Sequence, residues 1–187
     1  MTMKRILAAL LAAGCVLLVL AGCGKGGKTD SAPKDYTQIL HDARTAEDND
    51  VYMIFSPDKD GRFTAQYGYS SSYNAEDLNS EIENMLLPLL NLPDGSYTDF
   101  AASLSSMMVQ SYGVAIVKPA DGKTQDVVDA MDAYILGQQQ AMEHYLEDQY
   151  QIASSARVAT VPTGEVVMVC CENSGAVMDA IKAALAK

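Results

Sequence analysis

The chain has 187 residues, with 13 Lys and Arg against 24 Asp and Glu, and a formal net charge of −11. That balance excludes the electrostatic footprint of a nucleic-acid binder, which clusters basic side chains to neutralise phosphates. The length suffices for one domain with a real core.

The first segment runs from the basic pair Lys4-Arg5 through an apolar stretch, Ile6 to Leu20, into Ala21-Gly22-Cys23. A charged start, a short apolar stretch and small residues at a processing site are the parts of a secretory signal peptide. The stretch is shorter than the ~20 residues that span a bilayer. Leu20-Ala21-Gly22-Cys23 resembles the lipobox of bacterial lipoproteins. The resemblance implies cleavage before Cys23, a diacylglyceryl group on its thiol, and acylation of the new N-terminus. Two or three acyl chains hold a protein more firmly than one, whose binding is marginal and reversible. The expected organisation is a signal peptide over residues 1–22, a lipidated cysteine and tether over 23–34, and a single domain over 35–187. The expected location is the extracytoplasmic face of the cell membrane, where the lipid anchor makes the membrane the first partner. Losing Lys4 and Arg5 takes the charge from −11 to −13. The Gly-rich stretch Gly24 to Pro33 spans roughly 17 Å as a flexible coil.

Tyr36 to Ala46 reads as a short helix, with Ile39, Leu40 and Ala43 on one side. Val51 to Phe55 reads as a strand, Ser56 to Gly61 as a turn, and Arg62 to Tyr69 as a second strand, in which Phe63, Ala65, Tyr67 and Tyr69 alternate with polar residues and Gly68. A helix starts at Asn74, with Glu76 and Asp77 in its positive first turn and a stripe of Leu78, Ile82, Met85, Leu86 and Leu89. Asn91 to Gly95 turns the chain. Tyr97 to Leu104 and Tyr112 to Val117 are the next strand pair. Thr124 then caps a long helix that buries Val127, Val128, Met131, Ile135, Met142, Tyr145 and Leu146. Arg157 to Val161 and Val166 to Cys171 form a hairpin across Pro162-Thr163-Gly164. Ser174 caps a last helix with Val177, Ile181, Ala184 and Leu185 inward.

The order amounts to three strand–strand–helix units behind a leading helix. Short links imply antiparallel pairing. The most apolar strands, at Val51, Val114 and Val166, lack clean alternation and belong in the sheet interior with both faces covered. The fold class is α+β, an antiparallel or mixed sheet packed with helices. Cys170 and Cys171 are adjacent, so alternation sends them to opposite faces, where they fill strand positions as small hydrophobes.

From about Tyr97 to the C-terminus the chain resembles an uncharacterised family of bacterial lipoproteins defined by a domain of unknown function (DUF4358). The features that carry the resemblance are the strand Tyr112 to Lys118 and the helix with Gln138-Gln139-Gln140. Tyr145 to Tyr150, the strand Val166 to Cys171 and the closing helix complete it. The resemblance implies a small secreted domain on a lipid anchor and no particular activity.

Motifs with chemical meaning are few. Asp58-Lys59-Asp60-Gly61 resembles a calcium loop, but its twelfth position is Tyr67 where a bidentate Glu is required. Gly122-Lys123-Thr124 resembles the end of a phosphate-binding loop, but the earlier glycine falls on Val117. His144 and Asp148 share a helix face, which is too few ligands for zinc. Neither Ser70 to Ser72 nor Ser103 to Ser106 sits in the setting of a nucleophile elbow. No cofactor, metal site or catalytic set is expected.

Tyr67, Tyr69 and Tyr73, with Tyr52 and Tyr97 close by, are the best candidates for a binding surface, because tyrosine offers contact area with a polar tip. Met107-Met108 is a minor rival. The expected function is a non-catalytic binding domain at the cell envelope, for a protein partner or a small solute. The alternative is an envelope hydrolase or thiol-redox protein using Cys170/Cys171 or His144. A purely structural envelope subunit is a third class.

Overall fold

A computed structural model describes residues 34–187. The expected signal peptide, Cys23 and the expected tether as far as Pro33 lie outside the described residues.

The first helix, α1 (Tyr36–Ala43), is started by Asp35, whose side chain accepts from the Gln38 N–H at 3.0 Å. A second short helix, α2 (Ala46–Val51), is capped by Thr45, whose hydroxyl accepts from the Asp48 N–H. Val51 therefore closes a helix instead of opening a strand. The strand begins later, as β1 (Ile54–Pro57), and its partner β2 (Phe63–Gln66) ends before Tyr67. Tyr67 takes a positive φ of 65° and Gly68 one of 51°. A Cβ on Gly68 would lie 2.5 Å from the Tyr52 carbonyl carbon, so only glycine lets the chain cross there. These two residues break the strand alternation, and a 3₁₀ turn, Gly68–Ser72, follows.

Asn74 caps α3 (Ala75–Glu81) as expected, accepting from the Glu76 and Asp77 N–H groups. The helix then widens into a π segment, Ile82–Leu86, before the short α4 (Leu87–Leu90). That widening resets the buried stripe to Leu78, Ile82, Leu86 and Leu90, and leaves Met85 and Leu89 outward. Asn91 closes α4 in the left-handed conformation.

Strands β3 (Tyr97–Leu104) and β4 (Gly113–Pro119) follow, then α5 (Thr124–Met142). Lys123, not Thr124, is the N-cap residue of α5. The long helix expected to reach Leu146 stops at Met142, and the chain restarts as α6 (Glu147–Ser154). Tyr145 in the connecting turn is exposed rather than buried. The hairpin β5 (Arg157–Thr160) and β6 (Val166–Cys170) and the helix α7 (Ser174–Leu185) complete the fold. Asn173 in the left-handed region occupies the N-cap of α7, while Ser174 donates its hydroxyl to the Ser155 carbonyl at 2.8 Å.

The six strands of the described residues form one antiparallel sheet in the order β2-β1-β3-β4-β6-β5. The short strands β2 and β5 take the edges, and the apolar β1, β4 and β6 lie inside, as their composition predicts. This is an α+β fold. Phe55, Phe100, Val117 and Met168 pack on one face against α3, α4 and α5. Ile54, Val114, Ile116 and Val169 pack on the other face against α1 and α7. Cys170 belongs to the first layer and Cys171 to the second, so the adjacent thiols do part to opposite faces, both buried.

Helix α1 runs along the sheet from one end to the other. At its start the Tyr36 hydroxyl donates to Glu165 at 3.0 Å, beside the β5–β6 turn, and Lys34 donates to the Leu185 carbonyl at the end of α7. At its finish Arg44 reaches Ser103 and Tyr112, at the opposite ends of β3 and β4. Glu165 is a buried carboxylate, 1 % exposed. Burial works to raise its pKa, but hydrogen bonds from Thr163, its own backbone N–H and Tyr36, with the Lys118 charge 3.7 Å away, hold it below the usual carboxylate range. A lowered folded-state pKa stabilises the fold above the unfolded value, and that contribution is lost as pH falls through the folded one. Glu165→Gln is therefore expected to lower the urea midpoint at about pH 7, with the gap to wild type closing as the pH falls below the usual carboxylate range. A gap constant across that range would show that the ionised carboxylate is not what ties α1 to the hairpin.

Candidate functional site

The end of the sheet where α1 finishes is built on a buried guanidinium. Arg44, 7 % exposed, follows the last turn of α1. Its donors reach Asn49 Oδ1 at 2.5 and 3.1 Å, Ser103 Oγ at 2.5 Å, the Tyr112 hydroxyl at 3.0 Å and the Tyr52 carbonyl at 3.3 Å. These partners are all neutral. Asn49 is itself held by donating to the His41 carbonyl. The rings of Tyr52 and Tyr112 stack with centroids 3.7 Å apart. The arrangement ties α1, α2, β3 and the start of β4 together.

Over this knot opens a polar cavity of about 260 Å³, between α2, the start of β4, α6 and the turn after β6. Glu47, Asp48 and Glu172 supply its acids, and Gln110, Ser111, Gln149 and Asn173 its neutral polar groups. Ser111 is 3 % exposed; its N–H donates to Gln149, but its hydroxyl has no hydrogen-bond partner. The side-chain oxygen of Gln110 is likewise buried and unpartnered. Buried polar groups are normally satisfied; these two, unpartnered among the described residues, have essentially no accessible surface and lie behind the cavity wall.

A second cavity, of about 280 Å³, adjoins the first, and Val51 and Tyr52 line both. Its other walls are Tyr69, Tyr73, Glu81 and the loop after β3, Ser105 to Met107. The loop continues into Met108, 89 % exposed, and Val109, so the rim is apolar. Across the linings of both cavities there are four carboxylates and no Lys, Arg or His. The negative field shows in the tyrosines. Burial raises the Tyr52 pKa above its ordinary value, reinforced by Asp48 and Glu47; burial raises that of Tyr69 too, reinforced by Tyr73 and Glu81.

The structure divides the tyrosine trio expected from the sequence. Tyr69 and Tyr73 stay together, their rings 6.1 Å apart, on the layer with α3. Tyr67 packs on the opposite layer and stacks on His41 with centroids 4.2 Å apart. The positive φ at Tyr67 and Gly68 puts it there. Tyr52 joins the groove, whereas Tyr97 sits on Phe100 in the core and not in the groove. Met107 lines the groove and Met108 flanks it.

The residues of the catalytic alternative are scattered. Burial pushes both the Cys170 and the Cys171 thiol up to about 12, so neither is a thiolate at neutral pH. His144 lies in the α5–α6 turn with its side chain 89 % exposed and Glu143 3.9 Å away. His41 bonds to Asp42 on α1. Neither histidine lines the two cavities. Among the described residues no group of three or more His, Cys, Asp or Glu is placed to hold a metal ion, and no helix is long and apolar enough to cross a membrane.

The family model described as a domain of unknown function, DUF4358, matches residues 71–171. The chain belongs to the DUF4358 family. No curated protein and no solved structure matches it. The DUF4358 match opens before α3 and closes at Cys171, so it begins earlier than Tyr97 and leaves α7 outside. The orphaned oxygens of Gln110 and Ser111 fall within the DUF4358 segment, while Glu47, Asp48 and Glu172 come from the flanking elements.

Sequence reasoning missed the polar cavity. Asp48, Ser111, Gln149 and Glu172 are far apart in sequence and carry no motif spacing. The one legible signal was Thr45 followed three residues later by Asp48, an N-cap pattern that announces α2.

Proposed function

We propose that this DUF4358 chain is a lipid-anchored, extracytoplasmic binding domain that performs no covalent chemistry. The observation that carries the binding half is the pair of adjoining cavities, whose walls hold acids and aromatic rings but no histidine, and whose one thiol, Cys171, is buried and pushed up to about 12. Groups of that kind recognise and hold a molecule; attack on a bond needs an activated nucleophile within reach of a base. The thiols support this reading, since both are packed in the apolar layers. The anchor half rests on Leu20-Ala21-Gly22-Cys23 alone.

The anchor is tested by feeding cells an alkyne-tagged fatty acid. Wild-type protein is expected to take the tag and to stay in the membrane pellet through carbonate washing. Cys23→Ala is expected to carry no tag and to appear in the medium or soluble fraction. A tag that persists on Cys23→Ala would overturn lipidation at this residue. The binding half is tested by crosslinking in intact cells, with and without the double change Tyr69→Ala and Tyr73→Ala. A crosslinked species lost in the variant supports the reading, and hydrolysis of an envelope substrate by the purified chain would sink it.

A further inference from the structure

We propose, resting on the binding-domain reading, that the two cavities together take one small organic cation: a protonated amine with an apolar body. Its ammonium group occupies the polar cavity, and its body crosses Val51 onto Tyr69, Tyr73 and Met107.

Sign decides the head group. Glu47, Asp48 and Glu172 face the polar cavity, and Glu81 faces the groove. An anion would meet these carboxylates with no cation in either lining to offset them. The nearest guanidinium, Arg44, lies behind Tyr52 and Tyr112, and its donors are already engaged by Asn49, Ser103, Tyr112 and the Tyr52 carbonyl.

The groove decides the body. Tyr69 and Tyr73 offer ring faces that suit either an apolar chain or the flank of a cation. The two volumes, about 260 and 280 Å³, are of the size that takes a small molecule. A bare metal ion does not fit the arrangement, because it would use neither the rings nor the apolar rim.

The test is calorimetric titration of the full chain in zwitterionic detergent micelles, with empty micelles as the blank. The probes share one body: phenethylammonium, phenethyl alcohol and 3-phenylpropionate. Saturable binding is expected for the ammonium, about tenfold weaker binding for the alcohol, and none for the carboxylate, since one lost charge-assisted hydrogen bond costs about that factor. Asp48→Asn is expected to weaken the ammonium about tenfold and to leave the alcohol unchanged. Ammonium and alcohol binding equally, or Asp48→Asn without effect, would overturn the cation. Saturable binding of the carboxylate, or of the alcohol as tightly as the ammonium, that Tyr73→Ala abolishes would overturn the cation but keep the binding domain. No saturable binding of any probe would overturn the proposal, and the binding domain then stands or falls on the crosslinking result.

Discussion

Phe100→Ala is expected to lower the free energy of unfolding by about 4 kcal/mol. Phe100 sits in β3 with no exposed surface, in the layer between the sheet and α3 to α5. Tyr97 meets it edge to face at 5.1 Å and Phe55 at 6.0 Å, and Phe63 lies 6.1 Å away. Truncation removes the transfer energy of the ring, leaves a void that the neighbouring rings fill only in part, and cancels aromatic pairs worth roughly 0.5–1.5 kcal/mol each beyond area. Domains of this kind are stable by only about 5–15 kcal/mol, so the change takes a large share. Urea unfolding checks it: the midpoint should drop while the slope stays unchanged. Phe63→Ala is the control. Phe63 is half-buried on the edge strand β2, and its loss should cost about 1.5 kcal/mol. Equal losses at the two positions would contradict the interior place given to β3.

Arg44→Met is the second large effect, expected at about 3 kcal/mol. Exchanging a whole buried ionic cluster for apolar residues is often harmless. Arg44 differs because its partners would remain: Asn49 Oδ1 and the Tyr52 carbonyl would lose their donor inside the protein. Methionine fills much of the volume and supplies no donor, so the cost falls on the orphaned acceptors. Arg44→Lys should recover less than half, since one ammonium cannot reach acceptors spread around a planar fork. The tyrosine signal in near-ultraviolet circular dichroism should weaken in both variants as the Tyr52–Tyr112 stack loosens. An unchanged urea midpoint in Arg44→Met would remove the guanidinium from the account of what holds the cavity floor.

Much of the fold is legible because local signals and global placement agree. The hairpin across Pro162 to Gly164, the capping Asn74 and the runs at Val114 and Val166 are each decided by nearby chemistry. The division of Cys170 and Cys171 between faces follows from strand geometry alone. Errors cluster where a local pattern was overridden. Val51 continues an apolar run into β1, yet the Thr45 cap commits it to α2. Tyr67 and Tyr69 continue an alternation that the positive φ of Tyr67 and Gly68 ends. Glu143 to Leu146 contain no Gly or Pro to announce the break between α5 and α6. The cavities were illegible for another reason. They exist because β3, β4 and β6 end together under α2 and α6, which is a fact of strand order and not of any short segment.

Helix α1 also sets a direction. Its first residues are fixed beside Glu165 and Leu185, and its last beside the cavity floor. The helix itself is about 12 Å long, and the reach of the Tyr36 and Arg44 side chains carries its contacts to opposite ends of β4. Under the proposed anchor, tension arriving through the residues before Lys34 enters the domain at the end remote from Asp48 and Ser111. The point where the chain enters the domain and the polar cavity therefore lie at opposite ends of the sheet, so a pull on the first does not bear directly on the second.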